Sequence, residues 1–164
     1  MITVRAFKPG EWLQYRDVRL RALQESPYAF GSTFEDAVKY PDEIWRNRLL
    51  DLSITSDLAL AAFDGDEAVG LAWGRIDPET PERADLFQMW GSPDIRGQGI
   101  GRQLLDGVIE WARQQDAGFV MLGVTIGNEP AEQLYLSAGF APFGEPERLR
   151  ENAPKLIQNM KLVL

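Results

Sequence analysis

The 164-residue sequence contains no cysteine and no histidine. Without cysteine, the chain has no disulfide, no thiolate metal cluster and no cysteine nucleophile. Without histidine, it cannot build a Ser-His-Asp triad or a Cys-His pair, and a catalytic zinc site is disfavoured because imidazole is a common zinc ligand. The two absences exclude Ser-His-Asp and Cys-His catalysis, and we expect no bound metal.

Long apolar runs are also absent. No stretch approaches the roughly 18 residues of a membrane span, and residues 1–5 lack the form of a signal peptide. A chain of 164 residues that is 45% hydrophobic is large enough for one sizeable core. We therefore expect a single domain over residues 1–164 that is soluble and cytoplasmic, with no membrane partner.

Positive charge is scarce, with 17 Lys and Arg against 25 Asp and Glu and a net charge of −8. Because nucleic-acid binding depends on basic side chains that neutralise phosphates, we expect no nucleic-acid partner. An acidic surface of this kind commonly serves only solubility, so it identifies no other partner.

The hydrophobic pattern predicts the element order β-α-α-β-β-β-α-β-α-β-β. Residues 2–7 alternate like an edge strand, 119–124 form an apolar run typical of a buried strand, and the turn at 64–67 indicates a hairpin. In the helices, apolar residues recur at helical spacing. The predicted strands are 2–7, 58–63, 68–76, 83–91, 119–124, 140–144 and 156–163. The predicted helices are 11–24, 42–52, 99–115 and 129–138. This order is typical of an α/β layered protein.

The segment 89–101 is the most informative part of the chain, because a strand end there runs through a glycine-rich turn into a helix. Gly97, Gly99 and Gly101 leave backbone N–H groups accessible to a bulky anion, and the helix dipole points its positive end at the same place. A Rossmann fingerprint counted from Gly97 would need glycine at Arg102, and the Gly-Lys-Ser/Thr of a Walker A loop is absent. The segment instead reads Arg-x-x-Gly-x-Gly from Arg96, which resembles the acetyl-CoA pyrophosphate loop of the GNAT superfamily of acyl-CoA-dependent N-acyltransferases.

A second string about thirty residues further on carries the same resemblance. Asn128 is suited to cap a helix start, and Gly139 is suited to end that helix. Between them the chain reads Asn-x-x-Ala-x-x-x-Tyr-x-x-x-Gly-Phe, which is similar to the GNAT helix beside the pantetheine arm of the coenzyme. The stretch 19–32 is also similar to a common GNAT variant.

The resemblance implies the GNAT fold, a mixed and mostly antiparallel seven-stranded sheet flanked by four helices, with the fourth and fifth strands splayed apart. The splay would free the backbone groups of Met89 and Gly91 for the pantetheine amides and the thioester carbonyl. Gly91 replaces the family's usual β-branched residue. A strand-end turn and a β-bulge that shapes the acyl site are both open explanations for it.

The chemistry that the resemblance implies is direct attack of a neutral amine on the thioester of acetyl-CoA. The backbone N–H of Met89 or Trp90 would stabilise the developing oxyanion. Tyr135 would protonate the departing CoA sulfur, unless it is only a core aromatic. Asp85 is the candidate base; strand alternation places it on the face opposite Leu86, Gln88 and Trp90. A water-mediated route and a merely solvated Asp85 are the alternatives.

Acceptor binding is expected from the first two helices and their connection, which carry several aromatic and basic residues that include Arg19 and Trp45. Core packing is the alternative role for the aromatics, and Arg21 would either bind an acceptor carboxylate or tie down the loop at residues 26–27. The predicted acceptor-binding residues are Arg21, Tyr28, Phe30 and Phe34. The sequence does not distinguish a polyamine, an aminoglycoside, an amino acid or a peptide N-terminus.

The function expected from the sequence is acetyl transfer from acetyl-CoA to a primary amine of a small molecule or peptide, by a monomer or a homodimer. The alternatives are an acyl-CoA-binding sensor of the same fold that does not turn over, and a nucleotide-binding domain that uses the glycine loop for ATP. The predicted coenzyme-binding residues are Met89, Trp90, Gly91, Arg96, Gly97, Gln98, Gly99, Ile100, Gly101, Arg102 and Asn128.

Overall fold

The computed structural model describes every residue from Met1 to Leu164. Its helices are α1 (Trp12–Glu25), α2 (Phe34–Ala37), α3 (Asp42–Leu50), α4 (Leu52–Thr55), α5 (Ile100–Gln114) and α6 (Glu129–Ser137). Its strands are β1 (Ile2–Ala6), β2 (Asp57–Asp64), β3 (Glu67–Ile76), β4 (Arg83–Gly91), β5 (Phe119–Thr125), β6 (Ala141–Pro142), β7 (Glu147–Arg148) and β8 (Leu156–Val163). Short 3-10 turns occupy Pro9–Glu11 and Pro93–Ile95.

All eight strands belong to one sheet in the order β1-β2-β3-β4-β5-β8-β6, and β7 also pairs with β8. The β4–β5 pair is parallel and the other pairs are antiparallel, which confirms the predicted mixed, mostly antiparallel α/β sheet. The predicted strand 140–144 is reduced to the two residues of β6, which pair with Met160 and Lys161 of β8. The two-residue β7 adds an eighth strand, and the single turns α2 and α4 add two helices, all too short to show a period in the sequence.

The parallel β4–β5 pair is short. It joins Arg83 to Phe119, Ala84 to Val120 and Asp85 to Met121, although both strands continue well beyond these residues. β3 covers the other edge of β4, and β8 pairs with β5 along its whole length. The predicted splay between the fourth and fifth strands is therefore confirmed, and it opens directly after Asp85.

A β-bulge interrupts β4 just above the start of the splay. Leu71 pairs with Trp90 and Trp73 with Phe87, so one residue of β3 faces two residues of β4. At this point Gln88 has a φ of +57°, which is uncommon for a residue with a side chain. The bulge is therefore centred three residues before Gly91, which itself pairs regularly with Gly70 at the strand end.

The bulge reverses the alternation of side chains along β4. Leu86 packs in the hydrophobic cluster beneath α5, whereas Trp90 packs in the cluster beneath α1. The prediction that Leu86, Gln88 and Trp90 share one face is wrong, because the inserted residue shifts the period by one.

The sheet carries a hydrophobic cluster on each face. On one face, α5 buries Leu104, Leu105 and Val108 completely, as its apolar stripe predicts. On the other face, α1 and α3 bury Tyr15 and Trp45. The two layers hold the splayed strands in place from both sides. No helix of the chain has the length and apolar character that crossing a membrane requires.

Candidate active site

The opening between β4 and β5 leads into a cavity of about 730 Å³, which we call the coenzyme cavity. Its walls come from the end of β4, the glycine-rich loop, the end of β5, one side of α6 and the segment that follows α1. The lining residues include ten of the predicted coenzyme-binding residues: Met89, Trp90, Gly91, Arg96, Gly97, Gly99, Ile100, Gly101, Arg102 and Asn128. Gln98 alone among the predicted set does not line it; its side chain donates to the Asp94 carbonyl.

The glycine-rich loop has the backbone geometry that the sequence predicts for an anion site. Gly97 and Gly99 have φ values of +81° and +79°, a region that glycine adopts without strain. No atom lies within 4 Å of the position that a Cβ would take at either residue. The first backbone hydrogen bond of α5 runs from the Gln103 N–H to the Gly99 carbonyl, so the preceding N–H groups are not used inside the helix. These residues therefore fit a pyrophosphate.

Positive charge surrounds the coenzyme cavity despite the acidic composition of the chain. Arg96, Arg102 and Lys155 line it, and no aspartate or glutamate does. Arg102 donates to Asp106 at 2.9 Å. Arg96 and Arg102 also pair with Glu25 and Asp106, so Lys155 is the one of the three cations that forms no salt bridge.

Arg96 is held in place by the end of α1. Its guanidinium donates to the Gly91 carbonyl and to Glu25 Oε2, both at 3.0 Å, and the Trp90 indole donates to the same Glu25 oxygen at 2.9 Å. Burial acts to raise the pKa of Glu25, but the hydrogen bonds from Ser26, Trp90 and Arg96 outweigh it and lower that pKa. Glu25 therefore stays ionised and ties α1 to the glycine-rich loop.

Tyr135 lies on α6 between the coenzyme cavity and a second cavity of about 370 Å³, which we call the acceptor cavity. The side chain is 6% exposed, and its ring packs edge-on against Phe140. Burial raises the pKa of the Tyr135 hydroxyl, and no charge or hydrogen bond contributes to the shift. The phenol is therefore protonated at neutral pH and can donate its proton. Asn128 stands at the start of α6, but its side chain does not cap the helix and remains available to a ligand.

The acceptor cavity shares Ala29, Met89 and Tyr135 with the coenzyme cavity. Its remaining wall is mostly apolar, and again no aspartate or glutamate lines it. The residues found only in the acceptor cavity are Arg19, Phe30, Gly31, Ser32, Leu86, Phe87, Gln88, Leu122, Gly123, Leu149 and Ile157. The two cavities thus meet where the splayed strands, α6 and the segment after α1 come together.

Arg19 is the one charged residue of the acceptor cavity. It is 5% exposed, and its guanidinium stacks over Phe30 at 4.7 Å from the ring centre. Burial lowers the pKa of Arg19 to about 10, so the side chain keeps its charge at neutral pH. Its Nη1 is the only buried side-chain nitrogen or oxygen in the structure without a hydrogen-bond partner.

The predicted acceptor residues divide into two groups in the structure. Tyr28 lines the coenzyme cavity and Phe30 lines the acceptor cavity. Phe34 packs against the cluster beneath α1, and Arg21 donates to the Ala68 carbonyl at 3.2 Å; neither lines a cavity. Arg19 and Arg21 point away from each other because two positions correspond to about 200° on a helix.

A recognisable signal for Arg19 was present in the sequence. Arg19 stands four residues after Tyr15 and three before Ala22, in the middle of the buried stripe of α1. A charged residue at such a position is unusual enough to be marked as a candidate site.

Asp85 does not reach either cavity. Its carboxylate pairs with Arg83 at 2.9 Å, and its cross-strand neighbour is Arg75. The residue lies in the last β4–β5 pair, before the strands part. Asp85 as the base remains a prediction, and the geometry does not bring it to the place where an amine would react.

Comparison with known proteins identifies the family. Residues 18–140 match the model of the acetyltransferase (GNAT) family. Mycothiol acetyltransferase from Thermomonospora curvata is 30% identical over 146 residues, which are 87% of this chain and 45% of the relative. This chain thus spans about half the length of the curated relatives it matches. The chain belongs to the GNAT family, and the predicted family is confirmed.

Solved structures show the same fold. A GNAT acetyltransferase from Streptococcus pneumoniae superposes with a TM-score of 0.83 at 20% identity, covering all of both chains. PaiA N-acetyltransferase from Thermoplasma acidophilum, solved in complex with coenzyme A, gives 0.76 at 18% identity over 100% of this chain and 99% of that one. The predicted GNAT fold is therefore confirmed.

Proposed function

We propose that this protein transfers an acetyl group from acetyl-CoA directly to a primary amine of a small molecule or peptide. The observation that carries the proposal is the meeting of two cavities at Tyr135, one with a glycine-rich anion site and one without. A protein that only held the coenzyme would need no second cavity beside the reacting end.

The coenzyme cavity suits acetyl-CoA in shape and charge. The N–H groups of the glycine-rich loop and the start of α5 would bind the pyrophosphate, assisted by Arg102 and Lys155 at the rim. On the side facing β5, β4 has no neighbour after Asp85, so its backbone can pair with the pantetheine amides. Acetyl-CoA supplies the thioester that the amine attacks.

Three groups of the chain have defined tasks in the reaction. The N–H of Met89 or Trp90 stabilises the negative charge that develops on the carbonyl oxygen. Tyr135 donates its hydroxyl proton to the sulfur as the C–S bond breaks. Because no carboxylate lines either cavity, the ammonium form of the acceptor loses its proton through water, and Asp85 is not needed at the reacting nitrogen.

The proposal is tested by following CoA release from acetyl-CoA with a panel of primary amines. Amine-dependent release of free thiol, with the acetylated amine identified by mass spectrometry, supports it. Binding of acetyl-CoA without release by any amine would instead support the sensor alternative. A thermal shift with ATP but not with acetyl-CoA would support the nucleotide-binding alternative; at about a hundredfold above its dissociation constant, the true ligand should raise the Tm by several degrees.

A further inference from the structure

Arg19 is a buried charge that stacks on Phe30 but has no carboxylate partner, and its Nη1 makes no hydrogen bond. A buried cation without a partner destabilises a fold, and proteins rarely keep one unless it meets a ligand. The charged group with the largest unfavourable effect on Arg19 is another cation, Arg48. Tyr15 and Tyr40 are its remaining electrostatic neighbours, and its guanidinium forms no salt bridge with any carboxylate.

Other arginines of the chain do pair with carboxylates. Several have a carboxylate oxygen within about 3 Å of a guanidinium nitrogen, and all of these lie at least partly in solvent. They are Arg5 (2.8 Å), Arg75 (2.7 Å), Arg83 (2.9 Å), Arg96 (3.0 Å) and Arg102 (2.9 Å). Arg19 is more buried than any of them and yet has no acid.

The acceptor cavity around Arg19 selects the chemistry of its occupant. It offers one cation, the polar side chains of Ser32 and Gln88, and an otherwise mostly apolar wall. A polyamine or aminoglycoside would bring further positive charge into a cavity that already holds a cation and has no acid. A carboxylate matches the planar guanidinium and can accept two parallel hydrogen bonds from it.

We propose that the acceptor is a compact amine that also bears a carboxylate, and that Arg19 binds this carboxylate while the amine faces Tyr135. The inference rests on the proposed function and specifies its substrate class. In the reaction the amine nitrogen forms the new bond to the acetyl carbon and the C–S bond breaks. Starting from the neutral amine, one proton passes from Tyr135 to the CoA sulfur and the proton that leaves the nitrogen returns through water to Tyr135, while the acceptor carboxylate is unchanged.

The test uses amine pairs that differ only in the carboxylate. Leucine and leucinamide are one such pair, and β-alanine and 4-aminobutanoate with their amides vary the distance between amine and acid. We expect kcat/KM for at least one acid to exceed that of its amide by roughly 10- to 100-fold, because a site built for a charged group discriminates against an analogue that lacks it.

Variants then assign the selectivity to one side chain. Arg19→Met replaces an unpaired buried cation by an apolar side chain, so we expect an unchanged or higher Tm, unchanged acetyl-CoA binding and loss of the preference for the acid. Arg19→Lys keeps the charge without the planar pair of donors and should retain part of the preference. Arg16→Met is the matched control, since Arg16 lies on the same helix, pairs with Asp42 and lines neither cavity.

Two results would overturn the inference: equal kcat/KM for acid and amide throughout the wild-type series, or a preference for the acid that survives Arg19→Met. If no amine releases CoA, the proposed function fails, but calorimetry in the presence of CoA still separates the cases. Binding of an acid by wild type and not by Arg19→Met would support the role of Arg19. Equal binding by both proteins would contradict it.

Discussion

At the scale of single residues, Tyr135 is the side chain on which the proposed chemistry depends most. Tyr135→Phe removes only the hydroxyl and keeps the ring packed against Phe140. We expect turnover to fall by roughly two to four orders of magnitude, the usual contribution of an acid–base group, with little change in acetyl-CoA affinity. Steady-state kinetics and calorimetry measure the two quantities. Normal turnover with a lowered Tm would show that Tyr135 serves packing alone.

Substitutions of Gly101 test whether acetyl-CoA binds in the coenzyme cavity. A Cβ at this residue would lie 3.5 Å from Leu134 and 3.8 Å from Met89, which is ordinary contact, so Gly101→Ala should bind acetyl-CoA much as wild type does. The branched side chain of Gly101→Val would extend into the cavity, and we expect the Kd to rise by about tenfold or more. Calorimetry on both variants measures this. Equal affinity of Gly101→Val and wild type would contradict the assignment of the cavity.

Some site residues can be predicted from the sequence and others cannot. The glycines of the loop are recognisable in the sequence because their role depends on the local backbone conformation, which residues close in sequence determine. The choice between Arg19 and Arg21 depends on which side of α1 faces the splay. That orientation is set by packing against β3 and β4, far away in the sequence. The distance of Asp85 from the cavities cannot be predicted for a similar reason, because the point where β4 and β5 part has no sequence signature.

At the scale of elements, Glu11 joins β1 to the start of α1. Its carboxylate accepts from both terminal nitrogens of Arg5 at 2.8 Å and from the Lys8 N–H at 2.7 Å. The hydrogen bond from Arg5 is the largest cause that lowers the pKa of Glu11 to about 2, and burial opposes it. Because this folded-state pKa is below the ordinary value of 4.5, the stabilisation is complete above about pH 4.5 and disappears as pH falls towards 2.

Glu11→Gln should therefore lower the free energy of unfolding by about 1 to 2 kcal/mol at pH 7. The difference between wild type and variant should shrink between pH 4.5 and 2, as wild-type Glu11 becomes protonated. Urea unfolding at several pH values measures it. A difference that stays constant over this range would show that the ionised carboxylate is not the source of the stability.

Long elements of this fold could be predicted, and short ones could not. The amphipathic stripe of α5 extends over 15 residues, and β3 is a run of 10 residues that is buried everywhere except at its ends, so both elements are recognisable in the sequence. The bulge at Gln88 adds a single residue, and β7 is two residues long. Such features arise from pairing with a distant strand, which no local pattern records.

At the scale of the whole molecule, the absence of cysteine and histidine combines with the two joined cavities to predict the kinetic mechanism. The chain has no cysteine or histidine to carry the acetyl group as a covalent intermediate, so we expect donor and acceptor to be bound at the same time. We expect intersecting lines in initial-velocity plots and no acetylated protein after mixing with acetyl-CoA alone. Mass spectrometry of the intact protein gives the second result. Parallel lines, or a chemically competent acetyl-enzyme, would contradict direct transfer.

The three-residue contact between β4 and β5 makes this sheet two ladders rather than one. β1 to β4 form the first ladder and β5 to β8 the second. Backbone hydrogen bonds connect the two ladders only where the first residues of β4 and β5 pair. A ligand whose amides hydrogen-bond to the free edges of both β4 and β5 would replace the backbone hydrogen bonds that these strands do not make with each other. In that arrangement the bound coenzyme would act as a ninth strand between β4 and β5. The sheet would then be hydrogen-bonded along its full width only when the site is occupied.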